Sequence, residues 1–139
     1  MSLRTSIHAT LLAAGDVTAL IGAGALCRHY PGRVPHNPDY PFVVSSEIAS
    51  DAQETHGTAT DAEDTLDETL MQFSCYAPTL AVALAVRAAV RAAFLDDDSA
   101  ILATAHIVVT SPQTRELYED AADLHCAQLD LTFFHNPQT

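Results

Sequence analysis

The stretch Leu66–Leu95, LDETLMQFSCYAPTLAVALAVRAAVRAAFL, changes its period halfway along. Up to Tyr76, apolar and polar residues alternate. Met71, Phe73 and Cys75 point one way and Gln72 and Ser74 the other, the two-residue repeat of a half-buried strand. From Pro78 the repeat lengthens to four: Val82, Val86, Val90 and Phe94 make one stripe, and the proline opens the first turn, where its missing N–H does no harm. A strand over Leu66–Tyr76 therefore runs straight into a helix over Pro78–Leu95. A chain with this junction mixes both element types around one core.

Apart from Thr79, Arg87 and Arg91, this helix is apolar all round, the pattern of a helix covered on more than one side. In so small a domain, a second copy of the chain is the expected second cover. Leu80, Leu84, Arg87 and Arg91 lie on the face next to the valine stripe and are the candidate subunit-interface residues. Arginine's planar fork suits the carboxylates of a neighbour. A pair with an acid of the same chain, or a solvent-exposed helix edge, is the alternative.

Outward from this core, Ser2–Ala14 reads as a helix on Leu3, Ile7 and Leu11, with Gly15 as its cap and Asp16 capping a short turn over Val17–Ile21. Cys27–Tyr30 is a possible strand before the proline-rich loop Pro31–Pro41. Phe42–Ile48 alternates as a strand, with Phe42, Val44 and Ile48 opposite Val43, Ser45 and Glu47. Residues 51–65 form an acidic, Thr- and Ala-rich stretch expected to be a long hairpin loop. Asp96-Asp97-Asp98-Ser99 ends the long helix, acids at a helix C-terminus opposing its dipole. Ala105–Val109 is read as a strand, and Arg115–Glu119 with Leu124–His135 as a final hairpin. In that hairpin Ala127, Leu129, Leu131 and Phe133 alternate with Gln128, Asp130 and Thr132. Residues 136–139 are a polar tail. The expected fold is a single α+β domain over 1–139, a mostly antiparallel sheet with two helices packed on one face.

Charge narrows the function. Eighteen acids face six bases, all of them arginine, for a formal net charge of −12. Gripping phosphates by counterion release needs the opposite sign, so the charge disfavours attraction to DNA but not passage of DNA. No apolar run is long enough to span a bilayer, and the first residues lack the basic and apolar regions of a secretion signal. A cytoplasmic origin and no membrane partner are expected.

Catalytic and metal chemistry find little support. The three cysteines Cys27, Cys75 and Cys126 share no CxxC spacing and read as buried thiols. The seven histidines show no His-x-x-x-His pair and read as scattered. There is no nucleophile elbow and no phosphate loop, and Asp96-Asp97-Asp98 lacks the glycine and closing glutamate of a calcium loop. No enzyme activity, no metal and no cofactor are expected.

Several segments in order carry a resemblance: LLAAGDVTALIG at 11–22, RHYPGRVP at 28–35, YPFVV at 40–44, FSCYA at 73–77 leading into the alanine-rich helix, RELYED at 115–120, Leu124-His125, and LDL at 129–131. Their order resembles the phage tail-completion family, the group related to the tail terminators of long-tailed phages. The resemblance implies a hexameric ring of identical subunits that caps the tail tube, stops its polymerisation and joins it to a head-side stopper or connector. It implies as partners the chain itself, the tail tube protein and that connector, with DNA passing through the lumen without specific binding. The place implied is the head–tail junction of a virion or phage-like particle, a gene transfer agent included. The alternatives are another connector component, such as a head-completion or stopper protein, and an oligomeric host protein-binding module. The acidic loop matches no pattern of the family. Its charge leads to a separate expectation: Glu54, Asp61, Glu63, Asp64, Asp67 and Glu68 line the channel and repel DNA from the wall, rather than merely solvating a loop.

Overall fold

The computed structural model describes residues 2–54, 65–96, 100–120 and 122–136, the side chains of 52–54, 65 and 111 excepted. Helix α1 (Leu3–Ala13) starts at a Ser2 cap whose hydroxyl accepts from the Thr5 amide at 3.2 Å. It buries Leu3, Ile7 and Leu11, the expected four-residue stripe. Gly15 does not cap this helix. Ala14 does, and Gly15 already begins α2 (Gly15–Ile21), with Asp16 inside its first turn. Gly22 ends α2 at a φ of 95°, and a Cβ there would lie 2.6 Å from the Leu26 carbonyl oxygen, so both backbone and space demand glycine.

Five strands form one sheet: β1 (His29–Pro31), β2 (Phe42–Glu54), β3 (Thr65–Ala77), β4 (Val108–Glu119) and β5 (Leu124–His135), in the order β1-β2-β3-β5-β4. All neighbours pair antiparallel except β1 with β2. The mostly antiparallel α+β expectation holds, with more helical pieces than two. The long helix α3 (Leu80–Arg91) is capped by Thr79, whose hydroxyl accepts from the Val82 amide at 3.3 Å, and it widens into a π-turn over Ala92–Asp96. A further helix, α4 (Ala100–Thr104), stands where no element was expected, and Ala105 follows it as turn, not strand. Among the described residues, no helix is long and apolar enough to cross a membrane.

Two boundaries move. Asp51–Glu54 and Thr65, expected in the hairpin loop, are paired strand, Asp51 opposite Glu68 and Glu54 opposite Thr65. Cross-strand backbone pairing continues for as long as both chains stay extended, whatever their polarity. Residues 55–64 and 137–139, the remainder of the acidic loop and most of the polar tail, lie outside the described residues.

The core lies between the helices and one face of the sheet. Met71, Phe73 and Cys75 of β3 and Ala127, Leu129, Leu131 and Phe133 of β5 meet Ala83, Val86, Val90 and Phe94. Phe94 stands edge-on to Phe133 with centroids 5.5 Å apart, and Phe73 lies 5.2 Å from Phe94. On β2, Val43 and Ser45 share this face, while Phe42 is buried on the opposite side against Tyr30, Tyr40 and Tyr76. Ile48 falls at a bulge between Glu47 and Ala49 and is exposed.

Candidate functional site

The helices leave one face of the sheet and the sheet's two edges uncovered. The open face is read from the register. Val44, Ser74, Gln128 and Arg115 form one row across β2, β3, β5 and β4, and Ser46, Gln72, Asp130 and Gln113 form the next. This floor is amide and hydroxyl with one ion pair, Arg115 to Asp130 at 3.2 Å. Gln72 donates to Gln128 and Gln128 to Ser74, each at 3.4 Å, so the amides are knitted to one another. Asp130 is largely buried there. Its Oδ2 takes the arginine, and its Oδ1 has no hydrogen-bond partner.

The acidic candidates divide. Asp67 and Glu68 sit on β3, at the sheet end beside the hairpin, on opposite faces. Glu68 faces Asp51 directly across the β2–β3 pair, so two acids stand side by side there. Asp67 borders a shallow cleft with Arg4, Glu47, Thr69 and His135. Glu54 is placed by its backbone alone, and Asp61, Glu63 and Asp64 lie outside the described residues.

Of the interface candidates on α3, the two arginines bond within the chain. Arg87 is half-buried and donates to the Arg115 carbonyl at 3.3 Å and to Glu116 at 3.2 Å, tying the helix to β4. Arg91 pairs with Asp96 at 3.6 Å, both groups well exposed, a contact of small net worth. Leu84 packs against the core and Leu80 is exposed. Elsewhere Arg4 pairs with Glu47, and Arg28 donates to the Pro41 and Leu20 carbonyls. Among the described residues this leaves Arg33, in the exposed proline-rich loop, as the arginine without such a bond. With nearly every base spent internally, the surface field is acidic.

One polar constellation was not legible in the sequence. His8 of α1 and His29 of β1 bring their Nδ1 atoms to 2.8 Å with the rings stacked, and His29 Nε2 lies 2.8 Å from the Ser45 hydroxyl. One of the two Nδ1 atoms must donate to the other, so the pair tolerates one added proton and not two. Burial, then the His8 charge, pushes His29 down to about 4. The Ser45 hydroxyl is inside the fold, so the trio fastens α1 to the sheet and does not present a nucleophile. The only sequence signal for it is polarity at strand positions that alternate inward.

The thiols are buried or half-buried. Desolvation raises Cys75 far above the ordinary thiol range and also raises Cys126 and Cys27. The Tyr76 phenol beside Cys126 is pushed up to about 12, chiefly by burial. None of these groups is poised to react at neutral pH. Among the described residues, no three or more His, Cys, Asp and Glu side chains come together to hold a metal ion.

Two comparisons with known proteins give findings. The family model for "Tail completion protein gp17" matches residues 5–136. A chain of a solved structure described as "Virion of native gene transfer agent (GTA) particle" superposes with a TM-score of 0.64. The two chains are 18% identical, and the superposition covers 96% of this chain and 94% of that one. At that identity the likeness is one of fold. No curated protein matches.

Proposed function

Because the chain belongs to the tail completion protein gp17 family, we propose that it is the tail terminator of a phage-like particle. In this reading six copies close into a ring at the head–tail junction. The ring caps the tail tube, ends its polymerisation and offers its other side to a head-side stopper or connector. The family makes the protein a structural component that completes a phage tail, and catalysis has no part in the reading. The observation that carries the finer proposal is the family match over nearly the whole chain, on a domain whose fold recurs in a gene transfer agent virion.

The surface chemistry agrees with DNA passage. Acids outnumber bases three to one, and most arginines are committed inside the domain. A ring of such subunits repels phosphates from its wall, so a duplex slides through it and is not held. Of the proposed channel-lining acids, Asp67, Glu68 and the backbone of Glu54 lie at the hairpin end of the sheet, where Asp51 adds a further acid.

The test is assembly of particles with the gene deleted. Tails of uncontrolled length that fail to join heads, restored to uniform length by adding the purified protein, are the expected outcome. Tails of normal length that join heads normally would refute the terminator role.

A further inference from the structure

The sheet has two unlike open edges. On one side β4 runs for twelve residues with β5 as its strand partner on one flank, and no strand lies on the other among the described residues. Every side chain from Pro112 to Glu119 is exposed. Pro112 and the shift in register between Thr110 and Gln113 interrupt the strand near its start, which leaves Gln113–Glu119 as a regular run. On the other side β1 covers β2 only at Val43, Val44 and Ser45, so β2 from Ser46 onward is also without an outer strand among the described residues. Long bare edges of this kind are pairing templates, and soluble monomers ordinarily shield them.

Besides Leu26, Tyr40 and Leu80, the exposed large apolar side chains of the described residues stand on these two strands. Val108 is 62% exposed, Leu117 50% and Tyr118 48% on β4, and Ile48 is 53% exposed on β2. Polarity fits as well. β2, β3, β5 and β4 alternate in direction, so β4 runs opposite to β2. Copies related by rotation about one axis keep that relation, and β4 of one copy meets β2 of the next antiparallel. Charge disfavours one rival. The bare run of β2 carries Glu47, Asp51 and Glu54 and no base, which opposes a β2-to-β2 contact, whereas Gln113–Glu119 of β4 carries Arg115 beside Glu116 and Glu119 and is the less acidic edge. A two-fold β4-to-β4 contact would leave the β2 edge bare in every copy.

From these features we infer that neighbouring subunits join by strand addition: Gln113–Glu119 of β4 in one copy pairs with the β2 edge beyond Ser45 in the next. The contact is head-to-tail, uses both open edges of each copy and propagates until rotation closes it. It rests on the ring reading above and specifies which surface makes the ring. The exposed side of α3 is then not the joint, and its Arg87 serves to hold β4 in place from within.

The experiment is amide hydrogen exchange on the full chain, alone and after assembly, with the assembled species sized by sedimentation. The expected result is a ring in which alternate amides of Gln113–Glu119 and of the β2 edge exchange at least tenfold more slowly than in the free subunit. Leu117→Glu, at a site exposed in the free subunit and facing an acidic edge in the contact, should weaken assembly at least tenfold with unchanged thermal stability, while Leu80→Glu on α3 leaves it intact. A ring whose two edges exchange as fast as in the free subunit would overturn the inference and leave the ring reading standing. A two-fold dimer protected at β4 alone would also overturn it. A chain that forms no closed assembly, even on tail tubes, would remove the ring reading itself.

Discussion

The two faces of the sheet are made by alternate residues of the same strands, yet they are built for different ends. On one face Phe73, Met71, Leu129, Leu131 and Phe133 are sealed under α3 and its π-turn. On the other, one residue along each strand, stand Gln72, Ser74, Gln128, Asp130 and Thr132 with no helix above them. The first face carries the hydrophobic stabilisation, which grows with the apolar area withdrawn from water. Away from the Phe42 cluster, these rows of the second face are held by hydrogen bonds among side chains that water would satisfy almost as well, so they add little to stability. A domain of this size builds one core, and placing it on one side of the sheet leaves the other side and both edges without a helix.

The largest difference between the two faces is expected at Phe133. Phe133→Ala should cost about 3–5 kcal/mol through lost burial and the cavity left beside Phe73 and Phe94. Its neighbour Thr132→Ala, on the open face, should fall within about 0.5 kcal/mol of wild type. Denaturant melts of the two variants measure both, and equal costs would end the distinction between the faces.

Next in size is a pH effect on the covered side. His29 is held neutral in the fold at about 4, against an ordinary value of 6.5 in the unfolded chain. Between those values the unfolded state binds more protons, so stability falls as the pH is lowered from 6.5 towards 4, by up to about 3 kcal/mol. His29→Gln should lose that slope while lowering stability at neutral pH. A wild type and variant with parallel stability–pH curves would show that the His8–His29–Ser45 contact is not protonation-sensitive.

The smallest effect belongs to the open face. Arg115→Ala strips the counter-ion from Asp130, whose other carboxylate oxygen already lacks a partner, and should cost about 1–2 kcal/mol. The same change in an Asp130→Asn background should cost clearly less. A cycle without coupling would mean that solvent, not arginine, compensates the carboxylate.

How far the sequence reached depends on the range of the physics. Alternation in Met71–Cys75 and Ala127–Phe133 and the four-residue stripe of α3 announce strand and helix because each pattern is local, set by backbone repeat and side-chain direction. The helix end at Asp96 was legible as a change to acids, while α4, five residues long, was too short to show a period. On β2, alternation separated Phe42, Val44 and Ile48 from Val43, Ser45 and Glu47, but not which set would lie under the helices. The set with fewer apolar residues does, because Ser45 is satisfied by His29 and Phe42 finds its own aromatic cluster.

Composition and order alone determined that this is one α+β domain, strongly acidic, without the spacings of metal or catalytic chemistry, and similar to tail-completion proteins. Packing of the elements settles that Arg87 belongs to Glu116, that His8 meets His29 across two elements, and that β4 and the part of β2 beyond Ser45 have no outer strand among the described residues. Those facts depend on which strands become neighbours. Strand order is settled by contacts between residues far apart in the chain, and no local repeat encodes it.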